Sequence, residues 1–331
     1  MNRFAYAAAA SLEDAARKLA EGGTLKAGGV DLLGRIKRGT LAPSLLVDVD
    51  RLEPLTGFRD DDDRSWLLGA NVRLADLADA GLYEGARREL AGLREAAAGA
   101  ATPQVRNRAT LAGNLLQSGR CWYLHDAEVA CAGKGGEGCP ALEGRNEQHA
   151  ILGWTDCPVT MGSNLAPMLC ALDAVLGLRL PGDQVGLKRL REVYPGPAKG
   201  DAFRLHALPD GAIVESVRIP RTGASTAHVE VRHKRSYDWA LTIASVALRL
   251  EGGRIAAPSC WLGSVAPRPW HAKAAEEAVA GKEPSRGLFE EAAAAIVCRP
   301  LSEGAYKVDM TRHALVEALL LACDRAREAG R

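Results

Sequence analysis

Apolar residues recur every three or four positions in SLEDAARKLAEG, where Leu12, Ala15, Ala16 and Leu19 make one stripe, and that spacing predicts a helix. Ser11 stands at its cap position with Asp14 three residues on, and Gly22-Gly23 ends it. TLKAGG reads as a short strand running into a glycine turn, DLLGRIKRG as a short helix and LLVDVD as a strand, together a β-turn-α-β unit. WLLGANVRLADLAD predicts a strand and a helix after the acidic run Asp60 to Asp63, which reads as a solvated turn. An alanine-rich helix is expected from Tyr83 to about Ala101, and MLCALDAVLGLRL as a helix leading into a strand. Proline and glycine collect in PGPAKGDA; beyond it IVESVRIP, HVEVRH and ALTIASVALRLEG carry strand or helix periodicity, and a final helix runs from Met310 to Ala326. There is no internal repeat.

A chain of 331 residues is long enough for two or three modules and buries a core without covalent staples. The proline-glycine stretch puts a domain boundary near residue 200, giving residues 1–200 and 201–331. Charge is balanced, with 42 Lys and Arg against 41 Asp and Glu, so it offers no electrostatic case for a nucleic-acid or anionic-membrane partner. Glu13 and Asp14 interrupt the small-residue run at the N-terminus before a signal-peptide core develops. No stretch approaches the roughly 18 apolar residues of a spanning helix. The expectation is a cytoplasmic protein without direct membrane insertion, in which clustered cysteines more often bind metal or do redox chemistry than form disulfides.

Two glycine loops are candidate ligand sites. In LKAGGVDLL, residues 25–33, a glycine pair follows a strand, so backbone amides can converge on a phosphate; a plain turn is the competing reading. No GxGxxG opens a helix, and a Rossmann site is not supported. In TPQVRNRATLAGNLLQ, residues 102–117, Thr110, Ala112, Gly113 and Asn114 combine a hydroxyl, small residues and an amide, which suits close backbone approach or a helix cap. The third candidate is Cys121-x9-Cys131-x7-Cys139-x17-Cys157, four of the eight cysteines in one glycine-rich stretch. That spacing matches neither a ferredoxin nor a zinc ribbon, and an iron–sulfur cluster, zinc and uncoordinated thiols remain as readings.

AGGVDLL, QVRNRATLAGNL, SNLAPMLCALDAVL and WLGSVAPRPWHAKAAEEAVAGK resemble, in that order, motifs of the FAD-binding medium subunit of molybdenum hydroxylases, the xanthine dehydrogenase and carbon monoxide dehydrogenase superfamily. The resemblance spans essentially the whole chain. It implies an α+β fold: a vanillyl-alcohol-oxidase-like (PCMH-type) FAD-binding domain in two subdomains, followed by a C-terminal α+β domain. It further implies that the FAD pyrophosphate is held by Lys26, Ala27, Gly28, Gly29, Val30, Asp31 and Leu32 of the first loop and by Thr110, Ala112, Gly113 and Asn114 of the second. Ser163 and Asn164 join the site by the same resemblance, although the family usually has Pro-Ser-Asp where this chain has Gly162-Ser163-Asn164, and Thr where it has Val30. Ile219 is implied as an apolar neighbour of the isoalloxazine, and Lys234 or Arg235 as a cation near the ring or its acceptor.

The insertion at about residues 118–157 resembles that of a subset, the periplasmic aldehyde oxidoreductase and 4-hydroxybenzoyl-CoA reductase type, which binds a 4Fe–4S cluster there. This implies Cys121, Cys131, Cys139 and Cys157 as ligands, with Gly133, Gly135, Gly136 and Gly138 letting the loop wrap closely. His125 and His149 are expected to pack or hydrogen-bond, and Cys170, Cys260, Cys298 and Cys323 to be buried structural thiols. The implied function is electron transfer from iron–sulfur clusters through FAD to a small-molecule acceptor, as a subunit of a molybdoenzyme that oxidises an aldehyde or N-heterocycle. Implied partners are a large molybdopterin-binding subunit and a small subunit with two 2Fe–2S clusters; co-export with a signal-bearing partner would make the location periplasmic. The rival readings are an assembly module braced by a structural metal and a stand-alone flavin oxidoreductase.

Overall fold

The chain opens on a parallel three-stranded sheet in a computed structural model that describes residues 3–61, 64–79, 81, 88–234 and 237–329. Its elements are β1 (Ala5–Ala8), α1 (Leu12–Ala20), β2 (Thr24–Lys26), α2 (Val30–Lys37) and β3 (Leu45–Asp48), with strand order β1-β3-β2. β3 takes the middle because it is the apolar strand: Leu46 and Val47 are buried, and Val47 pairs with Ala7 on one side and Leu25 on the other. Ser11 Oγ accepts the Asp14 amide at 3.1 Å while Asp14 Oδ2 accepts the Ala10 amide at 2.9 Å, a reciprocal cap that starts α1. β1 was not among the elements expected from the pattern, since four residues of AYAA carry no period to read.

A five-stranded antiparallel sheet follows. Along the chain come β4 (Phe58–Asp61), β5 (Ser65–Gly69), α3 (Leu74–Ala78), α4 (Ala91–Gly99), α5 (Pro103–Arg106), α6 (Leu111–Leu115), α7 (Trp122–His125), α8 (Leu165–Ala171), β6 (Val175–Leu180), β7 (Gln184–Arg189) and β8 (Ile213–Pro220). The order β4-β5-β8-β6-β7 makes β8, which lies past residue 200, the central strand. The expected turn at Asp60 to Asp63 is corrected in part: Asp60 and Asp61 belong to β4, where Arg221 and Arg218 at the end of β8 pair with them, and residues 62 and 63 lie outside the described residues. The helix expected from Tyr83 to about Ala101 is corrected to α4, Ala91–Gly99: residues 88–90 form a turn, residues 100 and 101 bend away, and residues 82–87 lie outside the described residues.

The last layer is the sheet β12-β11-β10-β9, formed by β9 (Ser225–Val231), β10 (Thr242–Glu251), β11 (Arg254–Gly263) and β12 (Trp270–His271), with α9 (Lys273–Val279), α10 (Arg286–Ala294) and α11 (Tyr306–Ala329). ALTIASVALRLEG resolves to a strand buried on both faces, which is why its apolar run showed no period of two. Ala244, Val246 and Leu248 face the core under α11, where Leu315 and Leu319 are fully buried at about 1.5–3 kcal/mol each. The other face meets α8, and β9 meets α4, so the two halves pack directly. Among the described residues no helix is long and apolar enough to cross a membrane.

The stretch between Asn146 and Trp154 belongs by sequence to the first half yet is fastened to the second. Asn146 is fully buried; its amide N–H reaches Glu303 Oε2 at 2.7 Å, its Oδ1 accepts the Glu303 amide at 2.9 Å, and its Nδ2 donates to Ala141 O, Gly144 O and Ser302 Oγ. Ile151 and Leu152 amides bond Val265 O, and the Arg299 amide returns to Ile151 O at 2.7 Å. Lys307, 1 % exposed, donates from Nζ to the carbonyls of Ser264 at 2.8 Å and His149 at 3.0 Å. Burial pushes this ammonium down to about 7, while carbonyls, which only accept, favour its protonated form.

Candidate functional site

The first glycine loop connects β2 to α2. Lys26 ends the strand with Nζ 2.9 Å from Asp48 Oδ2, and Gly29, at φ +78°, enters the helix without a side-chain cap. Among the described residues the backbone amides of Ala27, Gly28, Gly29, Val30, Asp31 and Leu32 have no protein hydrogen-bond acceptor. Open amides leading into the first turn of α2 suit an anion, because free N–H groups and the helix dipole favour negative charge at a helix N-terminus.

The second loop lies directly beneath the first. A Cβ on Gly28 would sit 1.9 Å from Arg108 O, so only glycine allows the two backbones to touch. Here the amides are already used: Leu111 N bonds Val72 O, Ala112 N bonds Ala70 O, and Gly113 N bonds the Thr110 hydroxyl at 3.2 Å. The arrangement is therefore unequal, with open donors in the first loop and a bonded floor in the second. Asp50 ties the floor in place, 2.7 Å from Arg73 and 3.1 Å from Arg108.

Asn114 and Ser163 are buried and bonded to one another, Ser163 Oγ donating to Asn114 Oδ1 at 2.7 Å, and they stitch α6 to α8. Asn164 donates from Nδ2 to Glu230 Oε1 at 2.7 Å, where Glu230 also meets Arg232 and the His228 ring at 2.8 Å. Burial pushes His228 down to about 4, so a neutral ring donates there. An aspartate at 164 would face the Glu230 carboxylate, which accounts physically for an amide at this position. Ile219 is fully buried opposite Trp66 in the first core. Lys234 is exposed after β9, and Arg235 lies outside the described residues.

Asp31 points inward. Its carboxylate accepts from Ser118 N at 3.0 Å, Ser118 Oγ at 3.1 Å and Arg120 at 3.0 Å. Burial raises this carboxyl, but Arg120 and the two Ser118 donors outweigh it and hold it below the ordinary range. Arg120 lies 4.0 Å from the ring centre of Trp239, and a Cβ on Gly162 would come 2.8 Å from Arg120 Cγ and 3.0 Å from Trp239. The residue pattern did not single out Arg120 or Trp239; the available signal was that Arg120 directly precedes Cys121.

Cys121, Cys131, Cys139 and Cys157 line one enclosed cavity with Leu124, Gly133, His149 and Pro158. Cys121, Cys131 and Cys139 each cap a short helical turn, α7 and the 3-10 turns Ala132–Lys134 and Pro140–Leu142, with extended backbone at the cap. Amides of the following turn face the sulfur: Leu124 and Tyr123 toward Cys121, Ala141 and Leu142 toward Cys139, and Val159 toward Cys157. Burial nevertheless pushes Cys121 up to about 12 and Cys157 up to about 11, so without a metal these groups stay protonated thiols. Among the described residues no group of three or more Cys, His, Asp or Glu side chains is placed to hold a metal ion. A Cβ on Gly133 would lie 3.6 Å from Cys157 Sγ and 2.9 Å from Ala202 Cβ, so this glycine keeps the wall close.

His149 Nε2 is 3.2 Å from Cys121 Sγ, whereas His125 Nε2 meets Gly119 O at 2.9 Å, so both rings hydrogen-bond as expected. Burial pushes His149 down to about 4, a neutral ring. Cys170, Cys260 and Cys323 are buried, while Cys298, expected to be buried, is only half-buried.

Residues 2–222 match the family described as the FAD binding domain in molybdopterin dehydrogenase, and residues 227–322 match the CO dehydrogenase flavoprotein C-terminal domain. The chain is 33 % identical over 296 residues to the aldehyde oxidoreductase FAD-binding subunit PaoB of Escherichia coli strain K12, covering 88 % of this chain and 89 % of that one. It is 27 % identical over 308 residues to the carbon monoxide dehydrogenase medium chain of Hydrogenophaga pseudoflava, covering 91 % and 89 %. A solved carbon monoxide dehydrogenase from Hydrogenophaga pseudoflava superposes with a TM-score of 0.75 at 25 % identity over 98 % of both chains. Quinoline 2-oxidoreductase from Pseudomonas putida 86 shares the fold, with a TM-score of 0.76 at 22 % identity over 98 % of both chains. The open-amide loop on its glycine floor thus sits in a matched FAD-binding domain, and the chain belongs to the FAD-binding subunits of the molybdenum hydroxylases.

Proposed function

We propose that this chain is the electron-transfer subunit of a complex that oxidises an aldehyde or N-heterocycle, with FAD on the two glycine loops and a 4Fe–4S cluster on Cys121, Cys131, Cys139 and Cys157. The flavin unit, interrupted by the cluster insertion at about 118–157, runs past the boundary expected near residue 200 to about residue 222, because β8 is the central strand of its sheet, and the rest of the chain is the C-terminal unit. Its partners are a large molybdopterin-binding subunit and a small subunit with two 2Fe–2S clusters, and its product electrons leave to a small-molecule acceptor. The aldehyde oxidoreductase relative supports the substrate class. When bound, FAD couples two-electron to one-electron chemistry, and a 4Fe–4S cluster exchanges single electrons.

The observation that carries the cluster reading is the donor set. Four thiols surround one cavity, three of them capping turns and three facing backbone N–H donors, an environment suited to thiolates bound to a metal group. A tetrahedral zinc requires its sulfurs about 3.8 Å apart, and the described side chains do not close around one ion. The cluster reading rests on four thiols sharing one cavity, one for each iron corner. On the flavin side, the six open amides of residues 27–32 neutralise a pyrophosphate without a buried counter-charge, and Asp31 holds that loop against the start of the insertion through Ser118 and Arg120.

Anaerobically purified protein is expected to carry one FAD and about four iron and four sulfide. Cys139→Ala removes one of four ligands and should lower iron and sulfide sharply while FAD stays bound, because the flavin loops share no atom with Cys139. One zinc without sulfide would sink the cluster reading. Failure to take up FAD on reconstitution would sink the flavin reading.

A further inference from the structure

His149 is built into the thiol cavity without being one of its four thiols. Its Nε2 lies 3.2 Å from Cys121 Sγ. Among the described residues Nδ1 is buried with no partner, so the ring makes its polar contact through Nε2 alone. A metal-bound thiolate has no hydrogen to give, which puts the ring proton on Nε2 and makes His149 the donor. The ring is also held still: Trp122 meets it edge-on with centroids 5.1 Å apart, the His149 amide bonds Asn146 O, and Lys307 fixes the His149 carbonyl. A ring clamped by an aromatic side chain, a local turn and a buried lysine from another layer of the fold is oriented rather than merely packed.

We propose that His149 is an outer-sphere hydrogen-bond donor to the Cys121 ligand and sets the reduction potential of the cluster. The inference rests on the cluster reading above. Adding one electron to the cluster increases the negative charge on its sulfur ligands, so a donor aimed at Cys121 Sγ stabilises the reduced form more than the oxidised one and raises the potential. The other three ligands receive no side-chain donor of this kind among the described residues, which makes the His149 contact the adjustable one.

The test is a redox titration of the whole purified protein, followed by electron paramagnetic resonance, on wild type, His149→Phe and His149→Gln, with iron and sulfide measured on each. Phe fills the ring volume without a donor, and Gln restores an N–H. The expected result is a lower midpoint for His149→Phe at full iron content, with His149→Gln between it and wild type. An unchanged midpoint in a fully loaded His149→Phe protein would overturn the proposal, as would equal shifts in Phe and Gln, which would assign the effect to packing. If His149→Phe loses iron, retention by His149→Gln supports the donor and loss by both overturns it. A wild type without iron and sulfide would fail the cluster reading itself, and that outcome is recognisable before any variant is compared.

Discussion

Gly28→Ala adds a single methyl at the point where the two flavin loops touch. The new Cβ would lie 1.9 Å from Arg108 O, 2.8 Å from Arg108 C and 3.4 Å from Ala109 Cα, all backbone atoms that no rotamer change can move. Restoring a normal contact requires the loops to part by about 1 Å or more. An amide bonded to a phosphate oxygen at about 2.9 Å is then carried beyond useful hydrogen-bond range. Each charge-assisted bond is worth about 1.5–3 kcal/mol, so losing two weakens FAD binding by about 10²- to 10⁴-fold. Overpacking adds about 1–3 kcal/mol of lost stability. The assay is the flavin-to-protein ratio after gel filtration and an FAD titration of the apoprotein, with circular dichroism to show that the variant is folded. Gly287→Ala is the control: nothing lies within 4 Å of its added Cβ, and the helix should gain about 0.5 kcal/mol with no change in FAD. If folded Gly28→Ala binds FAD as tightly as wild type, the two loops do not form the pyrophosphate site.

Asp31→Asn should flatten the acid limb of the stability profile: the carboxyl is held below its ordinary value, so its contribution is present above the unfolded value of about 3.9 and lost as pH falls through the folded one. Thermal unfolding from pH 7 to pH 3, with flavin release followed in parallel, reads the difference, and parallel profiles in the two proteins would remove Asp31 as the tie. Lys307→Met should abolish a rise in wild-type stability above pH 7, because the folded lysine titrates at about 7 while the unfolded one holds its proton to about 10.4, and stability rises wherever the unfolded state binds more protons. Chemical denaturation at pH 7 and pH 9.5 measures this, and equal slopes in the two proteins would contradict it.

What the residue pattern made legible was local chemistry. The reciprocal cap of Ser11 and Asp14 lies within four residues, and α1 forms where the spacing put it. The turn from β2 into α2 was legible because a glycine pair after a strand has few other uses. Asp60 and Asp61 misled because the arginines that pair with them come from β8, about 160 positions away in sequence. The strand β10 was ambiguous because burial on both faces erases alternation. At the site, the sequence gathered four cysteines in one stretch, but their sharing of one cavity, their amide donors, the His149 contact and the Arg120–Trp239 stack depend on tertiary placement. The inequality of the two glycine loops is likewise a property of pairing: Leu111 and Ala112 spend their amides on Val72 and Ala70, which no motif records.

The reciprocal bonds between Asn146 and Glu303 have a consequence for biosynthesis. The two residues are 157 positions apart, and at about 5–20 residues per second a ribosome needs roughly 8 to 30 s to travel from one to the other. During that interval all four cysteine codons have been translated while the residues that fasten the 146–154 stretch do not yet exist. The 146–154 stretch therefore emerges before its fasteners, while the start of the insertion already has Asp31 within reach, and the stretch stays unfastened until the start of α11 has left the exit tunnel. If the four thiols take up the proposed cluster, loading is completed only after residue 303 has been made, and nascent chains arrested before that residue should be cleaved within residues 146–154 by a protease that spares the finished chain.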